Sequence, residues 1–313
     1  MKKNRNKTGK IFLLVFLVTL LIGFTVILVL LLKNNEQEEK EESKNTIVEY
    51  IEKQLPKEEN EEIENKVDYS GLSAEEIVAK ATDNVENFTY SLYCKIDADW
   101  ALEISDEDKA TLYAMGGNEE GLNFSEIALV SGKIKKDLEY FNYLETIYEL
   151  GATTLNSTQL YFDYPNNRTY SLYTNSQTID SDSLEWKVEE NTENNQIVFK
   201  DYLRDLEIQD VTEDENSYKV QCYLQIDNQI SNNLNWLYYN LCAVADYDVS
   251  TRIPVELEIS KGTGYLSKIV YDLSCFNELS IGEMYKITNI EMYYSFVDIN
   301  ETDFEIPEDL KKN

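Results

Sequence analysis

Apolar residues fall on every second position from Tyr90 through Leu92, Cys94, Ile96, Ala98, Trp100 and Leu102 to Ile104, while Ser91, Lys95, Asp97, Asp99 and Glu103 take the alternate phase. A period of two sends successive side chains to opposite faces of a strand, one covered and one wet, as in an antiparallel sheet. About 15 residues at roughly 3.3 Å each span ~50 Å, longer than an ordinary strand, so the sheet that contains it is expected to curve. The alternation returns in Tyr218, Val220, Cys222, Leu224 and Ile226, in Ile253, Val255, Leu257 and Ile259, and in Ile290, Met292, Tyr294 and Phe296. Two tight connections stand out. The glycines of Lys261–Gly264 suit the positive φ angles of a hairpin leading into YLSKIVYDL, and Tyr164–Asn167 joins TQLYFD to RTYSLYT.

Helical spacing marks three other segments. Ser73 and Glu76 form a capping-box pair, Leu72 and Ile77 a staple, and Ile77, Ala81, Val85 and Phe88 a narrow apolar stripe. Ile230, Leu234, Leu237, Leu241 and Val244 predict a second helix over Asn228–Val244, crossing an open face of the sheet. Ile11–Leu32 is an uncharged, almost wholly apolar run of 22 residues, which as a helix reaches across a bilayer's hydrocarbon core. It exceeds the usual length of a signal-peptide core, and no lipid-accepting cysteine follows it.

Charge orients that expectation. Residues 1–10 carry +5, residues 33–68 carry −7, and the remainder carries −29 of the total of −31. The positive-inside bias therefore predicts a single-pass membrane protein, with residues 1–10 in the cytoplasm, 11–32 in the bilayer, 33–69 as an acidic tether and 70–313 as an extracellular domain. Ile47, Val48, Ile51 and Leu55 within the tether suit a short helix ending before Pro56, although the surrounding composition is too polar to fold alone. So acidic a domain repels phosphate backbones, which argues against nucleic acid as a partner.

Candidate chemistry is sparse. The chain has no histidine, which removes Ser-His-Asp, Cys-His and H-E-x-x-H arrangements. Asp97 and Asp99 are a carboxylate pair, but the wet face of a strand already accounts for both. DSDS at Asp180–Ser183 lacks the glycine and distal glutamate of a calcium loop. Cys94, Cys222, Cys242 and Cys275 include no close pair, and Cys94 and Cys222 fall on the apolar phase of their strands, so burial without bonding is favoured over bridges. The 23 tyrosines, Tyr148, Tyr161, Tyr170, Tyr173, Tyr238, Tyr239, Tyr285, Tyr293 and Tyr294 among them, suit half-wet surfaces. No cofactor, metal or catalytic residue is implied.

A capped helix leading into a very long amphipathic strand, tyrosine-rich hairpins, and a tail reading IPVELEISKGTGYLSKIVYDL and then ITNIEMYYSFVDINETDFEIPEDL together resemble the LolA and LppX-like half-barrel lipoproteins. More closely, they resemble uncharacterised bacterial surface lipoproteins of that fold, in which a strand beginning Ile-Pro, a Thr-Gly hairpin and a closing Phe-x-Ile-Pro recur in this order. The resemblance spans about residues 72–310. It implies an α+β fold, a long curved antiparallel sheet with helices on its concave face, in which members of the family hold acyl chains. The expectation is thus a non-enzymatic domain that binds a lipid or other hydrophobic ligand in a cavity lined by Leu92, Ile96, Trp100, Val220, Leu224, Leu237, Val255, Leu257, Met292 and Phe296. The alternative is a closed core and a surface module that binds or senses a protein partner.

Overall fold

In the computed structural model the described residues are 66–103, 105–106, 108, 110–111, 122–150, 152–175, 185–190, 198–225, 244–245, 252–281 and 284–312. The chain forms two compact units, Met1–Leu55 and Pro56–Asn313, of which the first lies wholly outside the described residues.

The second unit is built on one antiparallel sheet. Its strands are β1 (Phe88–Trp100), β2 (Phe124–Lys135), β3 (Leu138–Glu149), β4 (Ala152–Asp163), β5 (Arg168–Asn175), β6 (Lys187–Glu190), β7 (Leu206–Glu213), β8 (Ser217–Gln225), β9 (Val244–Ala245), β10 (Arg252–Ser260), β11 (Leu266–Tyr271), β12 (Ser280–Ile281) and β13 (Tyr285–Val297). They lie in the order β6-β5-β4-β3-β2-β1-β13-β11-β10-β8-β7, with β12 and β9 branching from β13. The two longest strands, β1 and β13, pair at the centre, so the chain's last strand closes against its first. Lys261–Gly264 makes the β10–β11 hairpin, with Gly264 at φ 76°, and Tyr164–Asn167 makes the β4–β5 hairpin, with Asn167 at φ 52°.

Register carries one phase of every strand to the same face. Leu92 of β1 stands beside Val130 of β2 and Tyr294 of β13, Tyr294 beside Ile269 of β11, Ile269 beside Leu257 of β10, and Leu257 beside Val220 of β8. All of them belong to one buried core. Thr288 is an extra residue in β13: Asp97 pairs Asn289 and Ala98 pairs Ile287, which moves Ile287 and Tyr285 onto the inner face despite their odd spacing from Ile290. Such a bulge increases the local twist of the sheet.

The helix α1 (Ala74–Thr82) covers part of the inner face, burying Ile77, Val78 and Ala81 in the same core. Both hydrogen bonds of its capping box are present, Ser73 Oγ accepting from the Glu76 amide at 3.3 Å and Glu76 Oε2 from the Ser73 amide at 2.8 Å. A 3-10 turn, Phe199–Leu203, adds Phe199 and Tyr202, whose rings lie edge-on to Phe88 and Phe296.

The opposite, convex face has its own cover. After β13 the chain turns so that Thr302 meets Thr89 (Oγ1 to Oγ1, 2.9 Å) and Asp303 pairs with Lys135 at 2.8 Å. Ile306 and Leu310 then bury themselves with Tyr170 among Leu138, Tyr161, Trp186 and Val188, all on the outward phase of β3–β6 or in the approach to β6. The closing Phe-x-Ile-Pro of the sequence is thus a strap across the back of the sheet.

Three expectations require correction. Strands dominate the described residues, which contain one complete α-helix, α1, and scattered helical residues at 106, 108, 110 and 111, so this is a β-sheet protein and not the α+β fold with several helices in its concavity. Among the described residues no helix is long and apolar enough to cross a membrane: α1 has 9 residues, which at about 1.5 Å each reach roughly 13 Å. Ile11–Leu32 lies outside the described residues, and the single-pass membrane topology, with its cytoplasmic tail and extracellular placement, is accordingly set aside. Of the expected helix over Asn228–Val244, residues 228–243 also lie outside, and Val244 pairs as strand β9 with Ile281.

Candidate functional site

Nine of the ten residues expected to line a cavity have described positions, and eight of those sit together on the concave face. Leu92, Ile96, Val220, Leu224, Val255, Leu257, Met292 and Phe296 are all buried members of the single large core. Trp100 stands at the end of β1, half-buried, its ring edge-on to Tyr285 at 5.6 Å and its indole donating to the Leu102 carbonyl at 2.8 Å; that turn ends the strand before Leu102. Leu237 lies outside the described residues.

The concave face changes character across β2. From β8 to β1 its inward positions are apolar and covered. On β2 they read Phe124, Glu126, Ala128, Val130, Gly132 and Ile134, and on β3 Glu139, Phe141, Tyr143, Glu145, Ile147 and Glu149, followed on β4 by Ala152, Thr154, Asn156, Thr158, Leu160 and Phe162. Apart from Glu139, the β3 positions are only half-buried, and Phe124, Phe141 and Tyr143 pack against the core while remaining partly open. The wall is therefore amphipathic, with apolar rings at one level and carboxyl groups at the next.

Each carboxyl group has a different environment. Glu145 accepts from Tyr143 Oη at 2.5 Å and from Asn156 Nδ2 at 2.7 Å. Glu149 accepts from Tyr285 Oη at 2.9 Å. Strands β13 and β3 are three spacings apart, about 14 Å on a flat sheet, so this contact is one that inward curling brings within range. Burial raises the Tyr285 hydroxyl's pKa, and the Glu149 carboxylate beside it adds to the effect. Glu139, at the other end of β3, is buried and accepts from Tyr164 Oη at 2.7 Å; its pKa is raised by burial and lowered in part by that bond.

Glu126 differs from all of these. It is 5% exposed, standing between Ile96 of β1 and Ile147 of β3, and among the described residues nothing hydrogen-bonds its Oε1. Burial pushes its pKa up to about 7, and the charge of Glu145, one step diagonally away, adds to the rise. A buried acceptor without a donor costs free energy, so its presence in an otherwise well-satisfied wall requires explanation.

Sequence reasoning missed this wall. The inner glutamates of β2 and β3 interrupt the alternation that marked the other strands, and Ile127 and Leu129 put apolar residues on the outward phase as well. The available signal was a glutamate in phase with Ala128 and Val130. Elsewhere, Asp97 accepts from Ser125 and pairs with Lys95, Asp99 accepts from Asn123, and Cys94, Cys222 and Cys275 are free thiols, the first two buried. Cys242 and Asp180–Ser183 lie outside the described residues. Among those described, no group of acidic residues and cysteines has the geometry to hold a metal ion.

The large antiparallel sheet curls, as the Tyr285–Glu149 contact requires, and ends in open edges at β6 and β7. No protein-family model matches the chain, and no curated protein matches it. Among solved structures it is similar to the crystal structure of a beta-barrel-like protein of domain of unknown function DUF1849 from Brucella abortus, at 7% sequence identity, with 71% of this chain and 100% of that chain covered and a TM-score of 0.23.

Proposed function

We propose that the protein binds a hydrophobic ligand against the concave face of its sheet, with the half-open wall of β2–β4 as the point of entry. The observation that carries this reading is the run of partly open apolar side chains, Phe124, Phe141 and Tyr143, continuous with a fully buried core. A core that ended in its own cover would leave such rings against protein on every side; here apolar area remains for a ligand to remove from water. The likeness of the sequence to half-barrel lipid carriers of the LolA and LppX type supports the same reading. Binding without catalysis fits a chain that has no histidine and an inner face whose tyrosines and carboxyl groups are mostly bonded to each other.

A second reading is favoured by Phe199 and Tyr202, which close one end of the concavity on Phe88 and Phe296. In it the core is filled and the protein is a surface-interaction module. The two part company in a fluorescence titration of the full-length protein with a neutral naphthylamine dye. Ligand binding predicts dye enhancement that dodecanol displaces, weakened about tenfold by Phe141→Glu and unchanged by Tyr223→Glu on the convex face. Enhancement that is absent, or indifferent to Phe141→Glu, rejects the ligand reading.

A further inference from the structure

We propose that the ligand's polar end is a primary ammonium group, received by Glu126 with Glu145 and Glu149 while the alkyl chain lies along the partly open inner wall of β2 and β3. This rests on the hydrophobic-ligand reading above and adds the chemistry of the head group.

Three observations carry it. By register, the inward positions of β1, β2, β3, β4 and β13 hold Glu126, Glu139, Glu145 and Glu149 and no lysine or arginine, so on these strands no inward cation balances the carboxyl groups. Three donors of the wall are bonded to its carboxyl groups, Tyr143 and Asn156 to Glu145 and Tyr285 to Glu149. Oε1 of Glu126, buried on the same face, is left as an acceptor with no protein donor among the described residues. A ligand that meets this arrangement must bring N–H or O–H donors, and one with positive charge also relieves the repulsion between Glu126 and Glu145. An alkylammonium ion does both. A carboxylate or sulfate head group would add a further negative charge to the wall, and a quaternary ammonium would bring charge without a donor.

The apolar partner surface is contiguous with the carboxyl group. Glu126 lies in line with Phe124 on its own strand and beside Ile147, which leads to Tyr143 and Phe141 on β3, these four apolar side chains all partly open. A single extended chain following that line keeps its head at Glu126 and its methylenes on those partly open side chains, the arrangement expected of small-molecule sites in which a few polar groups orient a mostly apolar ligand.

The test uses the full-length protein and the same dye displacement, at physiological ionic strength, where the field of remote charges is screened beyond about 8 Å. Dodecylamine is expected to displace the dye about tenfold more tightly than dodecanol, and more tightly than dodecyltrimethylammonium. The preference should collapse in Glu126→Gln/Glu145→Gln, the amine losing much more affinity than the alcohol, and should persist in Asp210→Asn/Glu301→Gln, which removes the same charge from the surface. Equal affinity for amine and alcohol overturns the inference. So does a preference that survives the inner-face substitutions, or one that the surface substitutions also abolish. Failure of dodecanol itself to compete would instead reject the underlying ligand reading.

Discussion

Gly132→Ala is expected to destabilise the protein by at least about 3 kcal/mol, and to prevent accumulation of folded protein if the starting stability is ordinary. A Cβ at Gly132 would lie 2.1 Å from Cε1 of Tyr90, 2.2 Å from Cζ and 2.5 Å from Oη. Gly132 and Tyr90 face each other across β2 and β1, so the ring of one strand lies over the bare backbone of its neighbour. The ring has no easy retreat, because Phe88 and Tyr202 stand against it with centroids 6.1 and 5.7 Å away. The loss should be strongly non-additive. In a double-mutant cycle read by chemical denaturation, Gly132→Ala combined with Tyr90→Ala should cost less than the sum of the two by more than ~1 kcal/mol. Independent effects would show that the glycine serves the backbone and not the ring.

Glu126→Gln should have the second largest effect, and its sign depends on pH. The carboxyl group's pKa rises from the usual 4.5 to about 7 in the folded protein. The folded state therefore keeps a proton that the unfolded chain gives up, and folding stability falls as pH increases from about 4.5 to about 7. At a pH above that window the ionised group costs on the order of 3 kcal/mol, a figure that follows from about 1.4 kcal/mol per pKa unit. Glutamine carries no such cost. The variant is expected to melt roughly 5–10 °C above the parent at pH 8 and close to it at pH 4. Other groups titrate over the same range, but they are common to both proteins and cancel in the difference. A difference between the two melting curves that does not change with pH would mean that Glu126 is solvated in the folded state.

The two residues also show where the sequence was legible. Strands β1, β8, β10 and β13 announced themselves because one face is wet and the other buried, which imposes alternation on the sequence. The hairpins at Lys261–Gly264 and Tyr164–Asn167 were readable from turn chemistry, and α1 from its capping box. Strands β2 and β3 were not. Leu129 is buried on the outward phase of β2 and Glu126 on the inward phase, so the two faces lose their contrast. Leu138 is occupied on the outward side of β3 by the C-terminal strap, a long-range contact that local spacing does not record. The added residue at Thr288 likewise breaks the pattern at Tyr285, concealing a tyrosine that reaches Glu149 from across the sheet. Most of the apolar concave residues were identifiable because burial selects them; the polar wall was not, because its carboxyl groups look like the many exposed ones of an acidic chain.

Stability and site chemistry meet at that wall. Unmatched Glu126 is expected to lower the stability of the folded protein at neutral pH, and a ligand donor placed against it would recover part of the loss, so the proposed binding would be linked to folding through the same atom.

The most direct measurement is photolabelling of the full-length protein with an alkyl amine carrying a diazirine on its chain, followed by peptide mass spectrometry. Labels should concentrate on inward positions of β2 and β3, Phe124, Phe141 and Tyr143 foremost, and should disappear when unlabelled dodecylamine is in excess. Labels confined to convex-face residues such as Tyr93, Tyr223 and Tyr293, or a pattern insensitive to competition, would contradict a ligand site on the concave face.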